Sequence, residues 1–191
     1  MTTRERLQLP ADDVGEILLD ADTIARRVRE LAAEITSDFA GTDLVLVSIL
    51  KGALPFLADL MRQIPLPLAL DFLEVSSYGH STETSGVVRV LKDLANPIEA
   101  RHVLVVEDVI DTGLTLNYVM DHLRAQRPES IKLCTLLDKP ARRIVPLRID
   151  YRGFEIPDKF VVGYGLDYAE RYRNLPFIGV LRPGVYQPQG A

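Results

Sequence analysis

Residues 103–116 read VLVVEDVIDTGLTL. An apolar run ends in Glu107 and Asp108, passes through Val109 and Ile110, and reaches Asp111, Thr112, Gly113, Leu114 and Thr115 as a helical pattern begins. Continuous apolar runs of this kind suit parallel strands covered on both faces by helices. In an open α/β sheet, ligands bind where loops leave the carboxyl ends of the strands. A loop of Asp, Thr, Gly and Thr entering a helix offers N–H groups and hydroxyls at the positive end of the helix dipole, a cradle for phosphate. The carboxylates of Glu107 and Asp108 suit a sugar diol and Mg²⁺, which prefers hard oxygen ligands and shares its shell with substrate phosphates. The alternative is that Asp111 and Thr112 only cap the helix. Capping leaves the two acids at the end of a buried strand without a role.

Strand-like runs recur on both sides of this segment: LVLVSIL (44–50), LALDFLEV (68–75), VVRVL (87–91) and IKLCTLL (131–137), with HVLVVE (102–107) among them. Helical faces alternate with them. Ile24, Val28, Leu31 and Ile35 share one face, Leu54, Leu57, Leu60 and Met61 a second, and Leu116, Val119, Met120 and Leu123 a third. This alternation predicts an α/β fold with a largely parallel twisted sheet flanked by helices. After Lys139 the chain turns rich in Pro, Gly and Tyr and reads as a small cap. The expected organisation is one domain over residues 1–191, with a hood formed mainly by residues 139–191 and the N-terminal residues as further candidates for it.

Hydrophobic residues at 47% and charged ones at 26% describe a soluble chain able to bury a core. The net charge of −5 argues against broad binding to nucleic acid or membrane surfaces. No apolar run approaches bilayer length, and MTTRERLQLP lacks an apolar signal core. A cytoplasmic location is expected. Cys134 is the sole cysteine and sits in an apolar run, so it reads as a small buried thiol. His80, His102 and His122 are scattered without zinc-ligand spacing.

EDVIDTGLT (107–115) closely resembles the phosphoribosyl-pyrophosphate (PRPP) loop of the type I phosphoribosyltransferases, and its detail resembles the hypoxanthine(-guanine) phosphoribosyltransferase family. Other segments extend the resemblance in the same order. SILKGALPF (48–56) is similar to the pyrophosphate loop, where Lys51 and Gly52 pair a cation with backbone that an anion can approach closely. SSYGHSTETSG (76–86) resembles the mobile loop, with Ser77 and Tyr78 at its start. LLDKPARR (136–143) and FEIPDKFVVGYGLDYAERYRNLP (154–176) resemble the purine site.

The resemblance covers roughly residues 14–182 and implies transfer of 5-phosphoribosyl from PRPP to N9 of hypoxanthine or guanine. It implies that Glu107, Asp108, Asp111, Thr112, Gly113, Leu114 and Thr115 bind PRPP, with Asp111 exchanging a proton with the base. Lys51, Gly52 and Arg173 would meet pyrophosphate. Lys139 would donate to O6, Phe160 would stack on the base and Val161 would meet its Watson–Crick edge. Mg²⁺ would be held by Glu107 and Asp108, and Asp167, beside the purine site, would help hold a second magnesium. A homo-oligomer, dimer or tetramer, is expected. Leu114 departs from the pattern, because some relatives carry Lys there; phosphate binding would then rest on N–H groups, Thr112 and Thr115.

Rival readings make definite demands. A regulator built on this fold should add a DNA-binding segment or a basic surface. A sibling enzyme could act on xanthine, adenine or a pyrimidine; Lys139 with Phe160 favours a 6-oxopurine, and the balance among guanine, hypoxanthine and xanthine depends on backbone placement around Val161. Arg142 and Arg143 read as a solvated basic pair. Tyr164, Tyr168 and Tyr172 read as cap packing, and Gly163 with Gly165 is a weak nucleotide signal.

Overall fold

The structure, a computed structural model, describes residues 13–77 and 88–186. The expected closing segment from Tyr78 to residue 86 therefore lies outside the described residues. The chain opens with β1 (Val14–Leu19) and α1 (Ala21–Asp38), then β2 (Leu44–Ile49), α2 (Leu54–Met61), β3 (Leu68–Ser77) and β4 (Val88–Lys92). β5 (His102–Ile110), α3 (Leu114–Arg124), β6 (Ser130–Asp138) and β7 (Tyr151–Glu155) follow. The chain ends with β8 (Val161–Val162), β9 (Ile178–Leu181) and the short α4 (Pro183–Tyr186).

The main sheet has the order β4-β3-β2-β5-β6-β7. Its neighbours are parallel except for β4, which runs antiparallel to β3. Side chains alternate across each strand. Leu44, Leu46, Leu104 and Val106 enter the core shared with α1 and α2, while Val45, Val47, Val103 and Val105 enter the core shared with α3. That two-sided burial is why these strands read as unbroken apolar runs.

Asp20 caps α1 by accepting from the Thr23 N–H at 2.7 Å, and the helix buries the expected face of Ile24, Val28, Leu31 and Ile35. In α2 the expected face needs correction. Leu54 opens the helix at the surface, 48% exposed, and Phe56 is buried beside Leu57 and Leu60 instead. α3 buries Leu116, Val119, Met120 and Leu123, as its spacing requires. Among the described residues, no helix is long and apolar enough to cross a membrane.

Part of the chain after Lys139 belongs to the main sheet, not to a cap. β7 pairs with β6, Cys134 opposite Tyr151. Its sequence, YRGFE, has neither an unbroken apolar run nor strict alternation, because it is an edge strand with one open side. Cys134 is fully buried, and burial pushes its thiol well above the ordinary range. The remainder forms a separate three-stranded sheet, β1-β9-β8, over its own cluster of Val14, Val162, Tyr172, Leu175, Phe177 and Leu181.

Candidate active site

β5 carries the acidic pair further into the sheet than the apolar pattern suggests. The strand runs to Ile110, so Glu107 and Asp108 lie within it. Parity breaks across them: Val106 and Val109 both serve the α1/α2 core, and Ile110 serves the other. The pairing offset to β6 is unchanged, Glu107 opposite Thr135 and Ile110 opposite Asp138. Asp108 Oδ1 accepts from the Val109 N–H at 2.7 Å, bonding to its own strand where parity changes.

The turn after β5 then enters α3 through Gly113, which is the N-cap at φ 84 and makes no side-chain cap bond. Capping is thus not the role of Asp111. A Cβ at Gly113 would meet only side-chain atoms, Leu147 Cδ1 nearest at 2.9 Å, so it is the positive φ that favours glycine here. Glu107, Asp111, Thr112, Gly113 and Thr115 line a cavity of about 240 Å³ at this helix start. Leu114 is the first residue of α3, and its N–H lies 3.4 Å from Thr112 Oγ1.

A second cavity, about 430 Å³, is lined by Asp111, Lys139, Phe160, Val161, Leu166 and Tyr186 among others. It shares Val109 and Asp111 with the first. Lys139 follows β6, is buried, and donates from Nζ to the Lys159 carbonyl at 2.8 Å. Phe160 remains 39% exposed, with Tyr186 stacked on it at 4.7 Å between centroids and Tyr168 edge-on at 5.8 Å. The aromatic rings of Phe160 and Tyr186, the buried cation of Lys139 and the carboxylates of Asp111 and Asp158 therefore line a single space.

The third part joins the loop after β2 to the segment between β8 and β9. The Leu50–Lys51 peptide is cis. Gly52 packs so tightly on β5 that a Cβ there would fall 1.8 Å from Asp108 Oδ2, and a Cβ at Gly165 would fall 1.9 Å from the Gly52 carbonyl oxygen. Arg173 donates to the Gly165 carbonyl at 2.9 Å and pairs with Asp167 at 2.8 Å. Glu170 lies 3.5 Å from Lys51 Nζ and 3.4 Å from Arg173 Nη2. Lys51, Gly52, Asp108, Asp167 and Arg173, separated widely in sequence, are thus joined through direct contacts.

Two buried side-chain atoms among the described residues lack a partner, Glu107 Oε2 and Arg173 Nε. Both belong to this region, and such orphans call for a ligand or an ion. Burial pushes the Glu107 carboxyl well up, with Asp108 adding to it. Burial raises Asp108 too, against the pull of the Val109 N–H and Arg173.

Several residues carry more than the sequence suggested. Arg143 is not solvated: its guanidinium pairs with buried Asp138 and donates to the Asp111 carbonyl at 3.2 Å. Arg142 pairs with Asp111 at 2.8 Å. The Ile144 N–H donates to the Thr112 carbonyl at 2.9 Å, so residues 142–144 brace the turn after β5. No periodicity marks those partners. Gly163 and Gly165, both at φ 101, are packing glycines. Tyr164 and Tyr172 hydrogen-bond Asp59 and Asp13 at 2.7 Å, so these two tyrosines pack with a polar anchor.

One consequence of this packing is directly measurable. Gly165→Ala should destabilise the fold by about 1–3 kcal/mol, because the new methyl meets backbone at a positive φ. Gly184→Ala meets open space and should leave Tm nearly unchanged. Thermal melts that cannot tell the two variants apart would remove the close Gly52–Gly165 approach.

A cavity at a helix start and a second cavity holding a buried cation meet at Asp111, at the carboxyl ends of parallel strands. The sequence profile of the phosphoribosyl transferase domain matches residues 14–169, and the chain belongs to that family. Within it, the chain is 52% identical over 175 residues to the hypoxanthine-guanine phosphoribosyltransferase of Bacillus subtilis, covering 92% of this chain and 97% of that protein. The protein of the same name from Mycobacterium tuberculosis (strain H37Rv) is 48% identical, with 98% and 96% covered. The crystal structure of a hypoxanthine phosphoribosyltransferase from Staphylococcus aureus superposes with a TM-score of 0.88 at 47% identity, over 91% of this chain and 95% of that one.

Proposed function

We propose that this chain transfers the 5-phosphoribosyl group of PRPP to N9 of hypoxanthine or guanine, giving the nucleotide and pyrophosphate. The observation that carries the reading is the meeting of the two cavities at Asp111, with Lys139 and Phe160 in the larger one. Relatives of nearly equal length, named for this activity, add to it.

In this reading the turn 111–115 holds the 5-phosphate through N–H groups and the Thr112 and Thr115 hydroxyls at the α3 N-terminus. Breaking the anomeric C–O bond places positive charge on the sugar, as in glycoside hydrolysis. Lys51 and Arg173 take the negative charge that grows on the leaving pyrophosphate. The base lies on Phe160 and directs O6 to Lys139, with its Watson–Crick edge at Val161 and N7 at Asp111. Asp111 accepts the base proton as N9 attacks.

The residues also fit a bound magnesium ion. Glu107 and Asp108 are adjacent hard oxygen donors, with Glu107 Oε2 buried and unpartnered, and would hold one ion; Asp167 would help hold a second. Bound magnesium supplies further neutralisation of the pyrophosphate charge. Among the described residues no group of three or more His, Cys, Asp or Glu is placed to hold a metal ion by itself. EDTA should abolish turnover and Mg²⁺ or Mn²⁺ restore it, with Ca²⁺ a poor substitute. Full turnover in a metal-free assay would remove the cation.

The deciding experiment is a spectrophotometric assay of the purified protein with PRPP, Mg²⁺ and each free base in turn. Turnover of hypoxanthine or guanine is expected, and turnover of adenine or a pyrimidine alone would overturn the reading. We further propose a cytoplasmic homo-oligomer, dimer or tetramer, that binds neither nucleic acid nor membrane. Sedimentation at several concentrations tests the oligomer, and a monomer throughout would exclude it.

A further inference from the structure

We propose that Arg142 is a positioning residue for Asp111: it takes one oxygen of that carboxylate and presents the other to the base. The inference rests on the reading of Asp111 as the proton acceptor.

Arg142 closes the 3₁₀ turn Pro140–Arg142, directly after Lys139. Its Nε donates to Asp111 Oδ1 at 2.8 Å, and its Nη1 lies 3.7 Å from Asp158 Oδ2. Asp158 precedes Lys159, whose carbonyl holds Lys139 Nζ. One guanidinium therefore ties the acid of the phosphate turn to the segment that seats the buried ammonium. All of these residues line the larger cavity.

The contact constrains rotation about the Asp111 side chain. A free carboxylate at a loop turns among several orientations, and a proton acceptor must meet its target in one of them. Arg143 anchors the same residue from behind, through the Asp111 carbonyl at 3.2 Å. Backbone and side chain of Asp111 are thus held by adjacent arginines. Guanidinium stays protonated throughout the accessible pH range, so Arg142 cannot take the base proton itself. It acts by placing a negative group.

Both side chains are nearly half exposed, 46% for Arg142 and 43% for Asp111. A surface ion pair of that kind adds little to stability. A purely structural role therefore predicts little effect of any kind, whereas positioning predicts a selective loss of kcat.

The test is a double-mutant cycle on the purified protein, read as kcat and the KM for PRPP. Arg142→Met keeps length and removes every donor. It should lower kcat roughly tenfold, with the KM for PRPP within about twofold. Arg142→Lys keeps the charge and a donor and should recover part of the loss, which keeps the idea open to test if the Met variant folds poorly. On an Asp111→Asn background the Met substitution should cost less than about twofold, because the carboxylate it positions is already gone. An equal loss on both backgrounds would mean that Arg142 acts on the substrate itself and would overturn the proposal. So would wild-type kcat in Arg142→Met. If Asp111→Asn alone turns over normally, the reading of Asp111 fails and this inference with it. A normal Asp111→Asn loss with a silent Arg142 overturns only the inference.

Discussion

Asp111→Asn lowers kcat by about 10²-fold or more, on the order of 3 kcal/mol in the barrier, and leaves PRPP affinity largely intact. The expectation follows from where Asp111 stands. It is shared by both cavities, so in the proposed reading its carboxyl would meet both the base end and the sugar-phosphate end of the bound pair. Its other duties survive the change. Gly113 is the helix N-cap, so α3 loses nothing. The Asp111 carbonyl still accepts from Arg143, and an Asn Oδ1 can still accept from Arg142 Nε. What disappears is the negative charge and the capacity to take a proton. Steady-state kinetics with varied PRPP, and a direct PRPP titration, separate the two parameters. An Asn variant with near wild-type kcat would assign Asp111 a structural role alone.

The second large effect is base selection at Lys139. Its ammonium is buried, with one donor committed to the Lys159 carbonyl at 2.8 Å. The remaining donors can meet O6 of hypoxanthine or guanine, but an ammonium has no acceptor for the 6-amino group of adenine. Facing adenine, donor would meet donor in a poorly solvated site, which costs more than a bond simply absent. Sites built to bond one polar group reject the wrong analogue by about 10⁴-fold or more. The wild-type protein should therefore leave adenine essentially untouched. Lys139→Gln should lower kcat/KM sharply for 6-oxopurines and narrow the gap to adenine, since an amide offers donor or acceptor. Both bases on both proteins, at matched PRPP and Mg²⁺, provide the comparison. An unaltered ratio would take Lys139 out of base recognition.

Legibility differed from place to place for definite reasons. β2, β5 and β6 were readable because strands covered on both faces must be apolar throughout. α1 and α3 were readable because one buried face imposes its own spacing. β7 was not, since an edge strand tolerates Arg152, Gly153 and Glu155 among its five residues. The face of α2 was misjudged at Leu54, because the first turn of a short helix can point an apolar residue outward.

The same division holds at the site. Composition and spacing in residues 107–115 were enough to mark a turn between a buried strand and a helix start, because strand, turn and helix signals are contiguous there. The sequence alone also carried the α/β alternation, the buried thiol of Cys134 and the pairing of Lys51 with Gly52. Only the tertiary structure brought Gly165 against Gly52, joined Lys51 to Arg173 through Glu170, and placed Asp111 between two cavities. It alone paired Arg142 with Asp111 and Arg143 with buried Asp138. Those contacts join segments far apart in the chain, and an arginine bound for a carboxylate has the same letter and the same neighbours as one bound for water.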